Sequence, residues 1–124
     1  MAVPNLKSAT LVVNPECALL ALTSTSMTDI VAAVPTDHSY AIEQIAVTNT
    51  GSVSATVTIV INDGGSPAVE YELAKNRTVA VKTSVNIALG RAHLLNEGHS
   101  LRGLVLTSGM AVAVVVPYTD MIGP

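Results

Sequence analysis

The sequence predicts an all-β protein: a single-domain antiparallel β-sandwich, jelly-roll-like, with a short extended N-terminal arm. Apolar and polar residues alternate with period two from Thr10 to the C-terminus, and no segment sustains a helical period. Turn residues recur at a spacing of about 8–12 residues, which is typical of sandwiches and barrels. A chain of 124 residues, 49% of them apolar, has the size of one domain with one core. We therefore expect about seven to nine strands in a single domain.

The first part of the chain combines the arm with three short candidate strands. Residues 1–9 contain Pro4 and show no strand alternation, so we assign them to the arm and residues 10–124 to the sandwich domain. The candidate strands are residues 10–13, 18–25 and 29–34, the first of which fits an extension of the arm equally well.

Residues 40–49 predict a strand that contains a β-bulge. The apolar positions are even-numbered up to Ile42 and odd-numbered from Ile45 onwards, so the alternation slips by one near Glu43-Gln44. One extra residue in a strand produces this slip.

The central part of the chain predicts a β-hairpin. Residues 55–62 show the clearest alternation, with Ala55, Val57, Ile59 and Ile61 on one side and Thr56 and Thr58 on the other. Residues 68–73 repeat the pattern, with Val69, Tyr71 and Leu73 expected to point inward. The Asn-Asp-Gly-Gly-Ser-Pro run between the two segments supplies residues that tolerate positive φ, as a hairpin loop requires.

The C-terminal part predicts three more strands. Residues 79–85 alternate and predict one strand. Residues 101–107 and 111–118 flank a Ser-Gly pair and predict a second hairpin. The Leu-Leu-Asn-Glu sequence at residues 94–97 predicts a brief turn before the first arm of that hairpin.

The composition excludes several classes of protein. Six Lys and Arg residues spread along a chain of net charge −3 form no basic track, so we expect no direct nucleic-acid partner. The richest apolar runs, such as residues 111–116, fall far short of the roughly 18 residues that a membrane span needs, so we expect no membrane partner. Cys17 is the single cysteine, which excludes an intrachain disulfide and favours an intracellular origin.

The sequence predicts no catalytic, cofactor or metal site, and hence no enzyme. Three histidines match neither a helical pair nor a zinc-finger spacing, although two of them are near enough in sequence to meet across a loop. Cys17 begins an apolar strand, where a thiol usually behaves as a small hydrophobic group. The candidate metal ligands are His38, His93 and His99, and Ser24, Ser26, Asp29 and His38 have the residue types of a catalytic triad. Glu70 and Glu72 form a carboxylate pair of the kind used in acid–base catalysis. Residues 62–65 are a candidate calcium loop, and Asn76 is a candidate glycosylation acceptor. Solvated loops, a solvated strand face, a hairpin turn and chance are the favoured explanations of these patterns.

The expected surface is suited to packing against other chains. Only 12% of residues are charged, and the outward positions of the predicted strands carry Thr, Ser and Ala. Such faces lose little side-chain entropy and little solvation when they are covered, and they lack the charges that usually protect sheet edges. We expect the arm to contribute to partner binding through Val3 and Leu6.

Three segments resemble a unit found in small structural proteins of tailed-bacteriophage virions. Residues 40–51 end in Val-Thr-Asn-Thr-Gly, and residues 55–64 follow with an Ala-Thr-Val-Thr strand and an Asp-Gly turn. Residues 95–102, Leu-Asn-Glu-Gly-His-Ser-Leu-Arg, resemble the turn before the penultimate strand of those proteins, with His99 where Asp is usual. The resemblance extends over most of the chain, from about residue 18 to about residue 118.

The resemblance implies a non-enzymatic structural protein of the virion. The leading hypothesis is a capsid decoration or cement protein, made in the host cytoplasm, that bridges major capsid protein subunits on the outer surface of the head as a homotrimer. A neck, tail or baseplate adaptor is the alternative. A receptor- or glycan-binding knob that uses Tyr40 or Tyr71 is a third hypothesis, from a different functional class.

Overall fold

The computed structural model describes residues 12–87, 93–107 and 109–122, and these residues form ten β-strands and no helix. The strands are β1 (Val12–Leu22), β2 (Thr28–Val31), β3 (His38–Ile42), β4 (Ile45–Asn49), β5 (Ala55–Asn62), β6 (Glu70–Val79), β7 (Ser84–Ile87), β8 (His93–Leu95), β9 (Ser100–Val105) and β10 (Val112–Ile122). No helix in the described ranges is therefore long and apolar enough to cross a membrane.

The strands form two antiparallel sheets that enclose one core. Sheet A has six strands: β10 pairs with β1 on one side and with β3 and β4 on the other, and β8 and β7 lie beyond β3 and β4. Sheet B has four strands in the order β2-β9-β5-β6. The buried aliphatic side chains of both sheets pack in a single cluster, so the predicted single-domain β-sandwich is confirmed.

The pairing nests the chain as in a jelly roll. The first strand pairs with the last, β2 with β9, β3 and β4 with β8 and β7, and β5 with β6. The chain is therefore folded like one long hairpin whose arms are divided between two sheets. The tip of that hairpin is the β5–β6 connection, and β5 has the bounds that the alternation predicts.

The predicted hairpin of residues 101–107 and 111–118 is wrong. Both strands exist, but β9 belongs to sheet B and β10 to sheet A, so the connection between them crosses from one sheet to the other. β9 pairs with β2 and β5, whereas β10 pairs with β1, β3 and β4. Period-two alternation is the same for a hairpin and for two strands of opposite sheets, because both have one buried side.

The predicted bulge near Glu43-Gln44 is confirmed. Along β10 the pairing partner changes from β3 to β4 at this point, with Ile42 opposite Tyr118 and Ala46 opposite Val115. The chain advances four residues from Ile42 to Ala46, whereas β10 advances only three from Tyr118 to Val115. One residue is therefore inserted opposite β10, as in a β-bulge.

The predicted continuous strand over residues 79–85 is wrong. β6 ends at Val79, a turn follows in which Thr83 N–H donates to the Ala80 carbonyl, and β7 begins at Ser84 in the other sheet. Lys82 adopts a φ of 57° in this turn, which lies in the left-handed region rather than the extended region of a regular strand. Asn76, the residue of the glycosylation acceptor, lies within β6, where the register shifts.

The expected burial of Val69 and Tyr71 is also wrong, because both are exposed. Tyr71 does share the inward side of sheet B with its partner Ile61, and Leu73 packs against the core as expected. β6 is an edge strand whose pairing with β5 is interrupted by register shifts, so its alternation does not map onto burial. Residues 94 and 95, predicted as part of a turn, belong to β8, and the turn follows at Glu97-Gly98.

At the N-terminal side, β1 begins at Val12 among the described residues and ends at Leu22, so it contains only residues 18–22 of the predicted strand 18–25. Residues 1–9, with Val3 and Leu6, lie outside the described residues, so the arm and its contacts stay a prediction.

One buried amide ties the two sheets together. Asn49, at the end of β4, is 2% exposed. Its Nδ2 donates to the carbonyls of Val53 and Val79 at 2.8 and 2.9 Å, and its Oδ1 accepts from Gly51 N–H at 2.8 Å. Because Val79 ends β6 in sheet B, this side chain links both sheets and satisfies all three of its partners.

Candidate interaction surface

The outer side of sheet A carries no charged side chain at its paired positions in the described residues. Directly paired residues share a face, so the register defines the members of this surface, which we call the uncharged face. They are Val13, Pro15, Cys17, Leu19 and Ala21 on β1; Ala113, Val115, Pro117, Thr119 and Met121 on β10; Ser39 and Ala41 on β3; Ala46 and Thr48 on β4; Ser84 and Asn86 on β7; and Leu94 on β8.

The β1 side of the uncharged face is apolar and open to solvent. Leu19 is 73% exposed and Val13 is 55% exposed. Pro15, Cys17 and Ala21 are exposed as well. Contiguous apolar surface of this kind is uncommon on a monomer and usually marks a binding site.

The β7 side of the same face is polar, but its polar groups bind one another. The hydroxyls of Thr48 and Ser84 lie 2.6 Å apart, and Gln44 Nε2, at the bulge, donates to Asn86 Oδ1 at 3.1 Å. Side chains that already have partners lose less on being covered than groups that must be stripped of water.

The outer side of sheet B has the opposite character. Arg102 on β9 lies 3.0 Å from Asp29 on β2 and 3.8 Å from Glu70 on β6, and it donates to the Met27 carbonyl at 3.3 Å. Lys75 lies 3.8 Å from Glu72. Each member of the Glu70 and Glu72 pair thus faces a cation, which fits the solvated strand face rather than an acid–base site.

A second polar group, which we call the tyrosine cluster, lies on the inward side of sheet A near the start of β1. It consists of Tyr118 and Asp120 on β10, His38 and Tyr40 on β3, and Glu16 on β1. The rings of Tyr40 and Tyr118 are 4.6 Å apart at a tilt of 36°, and His38 meets Tyr40 edge-on at 6.4 Å. His38 Nδ1 lies 2.8 Å from Asp120 Oδ1.

Burial and nearby carboxylates raise both tyrosine pKa values in this cluster. Burial is the largest cause for each ring because it disfavours the phenolate. For Tyr118 the next cause of the raised pKa is Glu16, followed by Asp120. For Tyr40 the pKa is raised further by Tyr118, Asp120 and Glu16. The cluster is therefore a partly buried aromatic pair in a negative potential.

The structure does not bring the triad-type residues together. Ser24 Oγ accepts from Ser26 N–H, Asp29 pairs with Arg102, and His38 pairs with Asp120. Cys17 lies on the outer side of sheet A, whereas His38 shares the inward side with Ile122. The sheet itself separates the thiol from the histidine that lies beside a carboxylate.

The remaining candidates have local structural partners. Asn62 Oδ1 accepts from Gly64 N–H, and Asp63 Oδ1 accepts from Gly65 and Val69 N–H, so these oxygens close the β5–β6 loop. His99 Nδ1 accepts from Asn96 N–H at 3.4 Å, and the side chain of His93 lies outside the described set. Among the described residues, no group of three or more His, Cys, Asp and Glu is placed to hold a metal ion.

Sequence reasoning missed both surfaces because both depend on the pairing of β1 with β10. Glu16 faces Tyr118 and Leu19 faces Val115 only through this register, across about a hundred residues of sequence. Alternation in residues 12–22 was the available signal, and it is weak because both sides of β1 carry apolar residues.

The comparisons with known proteins show a similarity in fold. No protein-family model matches the chain, and no curated protein matches it. A chain from the solved structure of Bacillus endospore appendages, described as "a novel family of disulfide-linked pili", has the same overall fold at a TM-score of 0.54. The two chains share 15% sequence identity, and the match covers 99% of this chain and 96% of that one. At this identity the similarity concerns the fold alone.

Proposed function

We propose that this protein is a non-enzymatic structural subunit that works by packing the uncharged face of sheet A against other chains. The observation that carries this proposal is the absence of charge from the paired positions of that face, together with Leu19 at 73% exposure. Covering apolar area stabilises an assembly at about 25 cal/mol per Å². Placement of the thiol and the His38–Asp120 pair on opposite sides of one sheet supports a role without catalysis.

The fold supports a role in an assembly but does not specify one. The fold relative is a pilus protein, and its pili are disulfide-linked. This chain has Cys17 alone, so a disulfide joins at most two copies and cannot connect a continuous series. Any extended assembly of this protein must therefore depend on noncovalent surfaces.

The specific form of the proposal is a decoration protein on the outside of a phage head. Support comes from the resemblance of residues 40–64 and 95–102 to virion structural proteins. In this role many copies bridge neighbouring major capsid protein subunits, and each standard-size contact of about 1,600 Å² raises the free energy needed to rupture the shell. A neck, tail or baseplate adaptor uses the same chemistry in fewer copies.

The test is the copy number in purified particles, measured by quantitative mass spectrometry against the major capsid protein. Hundreds of copies are expected for a decoration protein. A dozen or so would place the protein in the neck or tail. Its absence from particles would overturn the virion assignment and leave only the structural-subunit proposal.

The second candidate function is sugar or receptor binding by the tyrosine cluster. Tyr40 lies beside Tyr118 and the carboxylates of Glu16 and Asp120, which is a set able to stack on a ring and accept hydroxyl hydrogen bonds. Tyr71 is exposed on β6 in the other sheet and belongs to no such group. Binding on a glycan array that is lost in Tyr118→Ala and retained in Tyr71→Ala would favour this role.

A further inference from the structure

We infer that the uncharged face binds a second copy of this chain, face to face, about a two-fold axis that runs across the strands and places Cys17 opposite Cys17 of the partner. This inference rests on the proposed structural role and names its first partner. Four properties of the described residues carry it: the open face, the blocked edge, the size of the face and its match to itself.

The strand edge beside the face is poorly suited to pairing. The carbonyl of Pro117 accepts from Glu43 N–H, so its backbone polar groups point toward β3 and β4. Cys17, opposite Pro117, must then direct its own backbone groups to the free edge of β1. Backbone direction repeats every second residue, so Pro15 also faces that edge, where it offers no N–H. A proline at this place interrupts edge-to-edge pairing, and the outer face has no comparable protection.

The uncharged face has the area that a stable pair needs. It spans eleven residues along β1 and β10 and is four strand positions wide. Strand geometry gives it an extent of roughly 700 Å². Specific, stable interfaces cover about 600–1,000 Å² on each partner. Packing the whole face once is therefore sufficient for a specific contact.

Electrostatics favours the uncharged face over the outer side of sheet B as the contact between two copies. Two copies carry the same net charge of −3. On the sheet B side, Asp29, Glu70 and Glu72 would oppose their own copies if that face were used. The uncharged face brings no like charges of the paired positions together, so association through it meets the least repulsion.

The shape of the face also fits its own copy. An axis across the strands keeps β1 over β1 and reverses its direction, so the first row of the β1–β10 pairing meets the last. The first row, Val13 and Met121, is bulky, and the last, Ala21 and Ala113, is small. The outermost rows thus match bulky with small side chains, and the row of Pro15 meets the row of Leu19 about a central row that contains Cys17. Isologous contacts of this kind close as pairs.

The experiment uses the native Cys17 as a reporter in the full-length chain. A bis-maleimide whose spacer matches the sheet separation of about 10 Å is expected to link two copies through Cys17. The matched control is the Cys17→Ser, Thr78→Cys chain, whose thiol lies exposed on β6 in sheet B. We expect little crosslinking in this control. Equal crosslinking of the two proteins would overturn the inference.

Sedimentation gives the independent measurement. The wild-type mass should be that of two chains, and Leu19→Lys should weaken the pair at least about 100-fold because it buries an unpaired charge. Leu106→Lys adds the same charge at a leucine of 55% exposure outside the face and should leave the pair intact. A single-chain mass at every concentration, a three-chain mass, or a pair that persists in Leu19→Lys would overturn the inference.

Failure of the pairing and failure of the proposed function are distinguishable. A monomer that still occupies purified particles overturns the second copy as partner but retains the structural role. A pair that is absent from particles supports the inference and removes the virion assignment.

Discussion

The two outer faces of the sandwich differ in how far they expose an outward-pointing apolar residue to solvent. Val60 on β5 points to the outer side of sheet B and lies outside the core cluster, yet it is only 2% exposed. Leu19 on β1 points to the outer side of sheet A and is 73% exposed. Both are aliphatic residues on an outward strand position, so side-chain type does not explain the difference.

The cross-strand neighbours of Val60 and Leu19 explain their different exposure. Val60 pairs with Arg102 on one side and with Glu72 on the other. Long charged side chains lay their methylene groups over apolar neighbours and keep their charges in water. Leu19 pairs with Val115 and, at the free edge, has no described strand beside it. A face without long polar side chains cannot cover its own apolar residues, so they stay open to solvent in the single chain.

The largest expected effect on stability concerns Asn49, whose side chain links the two sheets. Asn49→Leu keeps the side-chain volume but leaves the carbonyls of Val53 and Val79 and the N–H of Gly51 without partners. We expect the free energy of unfolding to fall by about 3 kcal/mol, measured by urea denaturation. Asn96→Leu, at an exposed asparagine, is the control and should change it by less than about 0.5 kcal/mol. Equal effects would show that Asn49 does not link the sheets.

The contrast between Val60 and Leu19 is testable directly. In dilute protein, Val60→Ala should reduce the free energy of unfolding by about 2 kcal/mol, because it empties a closed site. Leu19→Ala should change it by less than about 0.5 kcal/mol, because the side chain is exposed in the single chain. Thermal unfolding of both variants measures the difference. A similar loss in both would refute the contrast between the two faces.

Removing the charge of Arg102 on sheet B should reduce the free energy of unfolding less than truncating Val60, the apolar residue that Arg102 covers. Arg102→Met retains most of the covering methylene groups but removes the cation that faces Asp29 and Glu70. We expect a loss of about 1 kcal/mol in low salt and a smaller loss in 1 M salt, because screening weakens partly exposed pairs. Urea denaturation at the two salt concentrations measures it. The control Lys75→Met disrupts a more exposed pair and should have almost no effect.

The smallest effect concerns the charges that sheet A carries on its inward side. The pKa values of Tyr40 and Tyr118 are raised in the folded chain, chiefly by burial. Their neutral forms therefore favour folding below the ordinary tyrosine pKa of about 10, and this stability is lost as pH rises through the folded pKa values.

Glu16→Gln removes the strongest charge effect on Tyr118 and should lower its pKa toward the ordinary value. Phenolate absorbance during alkaline titration measures this pKa, and unfolding should then begin at a higher pH than in the wild type. Glu43→Gln removes the same charge at the exposed bulge and should leave the Tyr118 titration unchanged. An identical titration in all three proteins would refute the role of Glu16.

The sequence alone determined the strands whose two sides differ. Residues 55–62 place aliphatic side chains at every inward position and threonine at the first two outward ones, and β5 has these bounds because one side of it must be buried. The slip at Glu43-Gln44 located the bulge for the same reason, since parity cannot change in a regular strand. The all-β sandwich followed from such segments and from the turns between them.

Only the tertiary structure decided which strands pair and which outward residues are covered. Residues 101–107 and 111–118 look like a hairpin locally, but nested pairing places them in opposite sheets. Tyr71 alternates like a core residue but is exposed, because β6 is an irregular edge strand. The uncharged face and the tyrosine cluster both require β1 to meet β10, a contact between the two ends of the chain. Alternation encodes which side of a strand is buried, whereas partner and register depend on contacts that are distant in sequence.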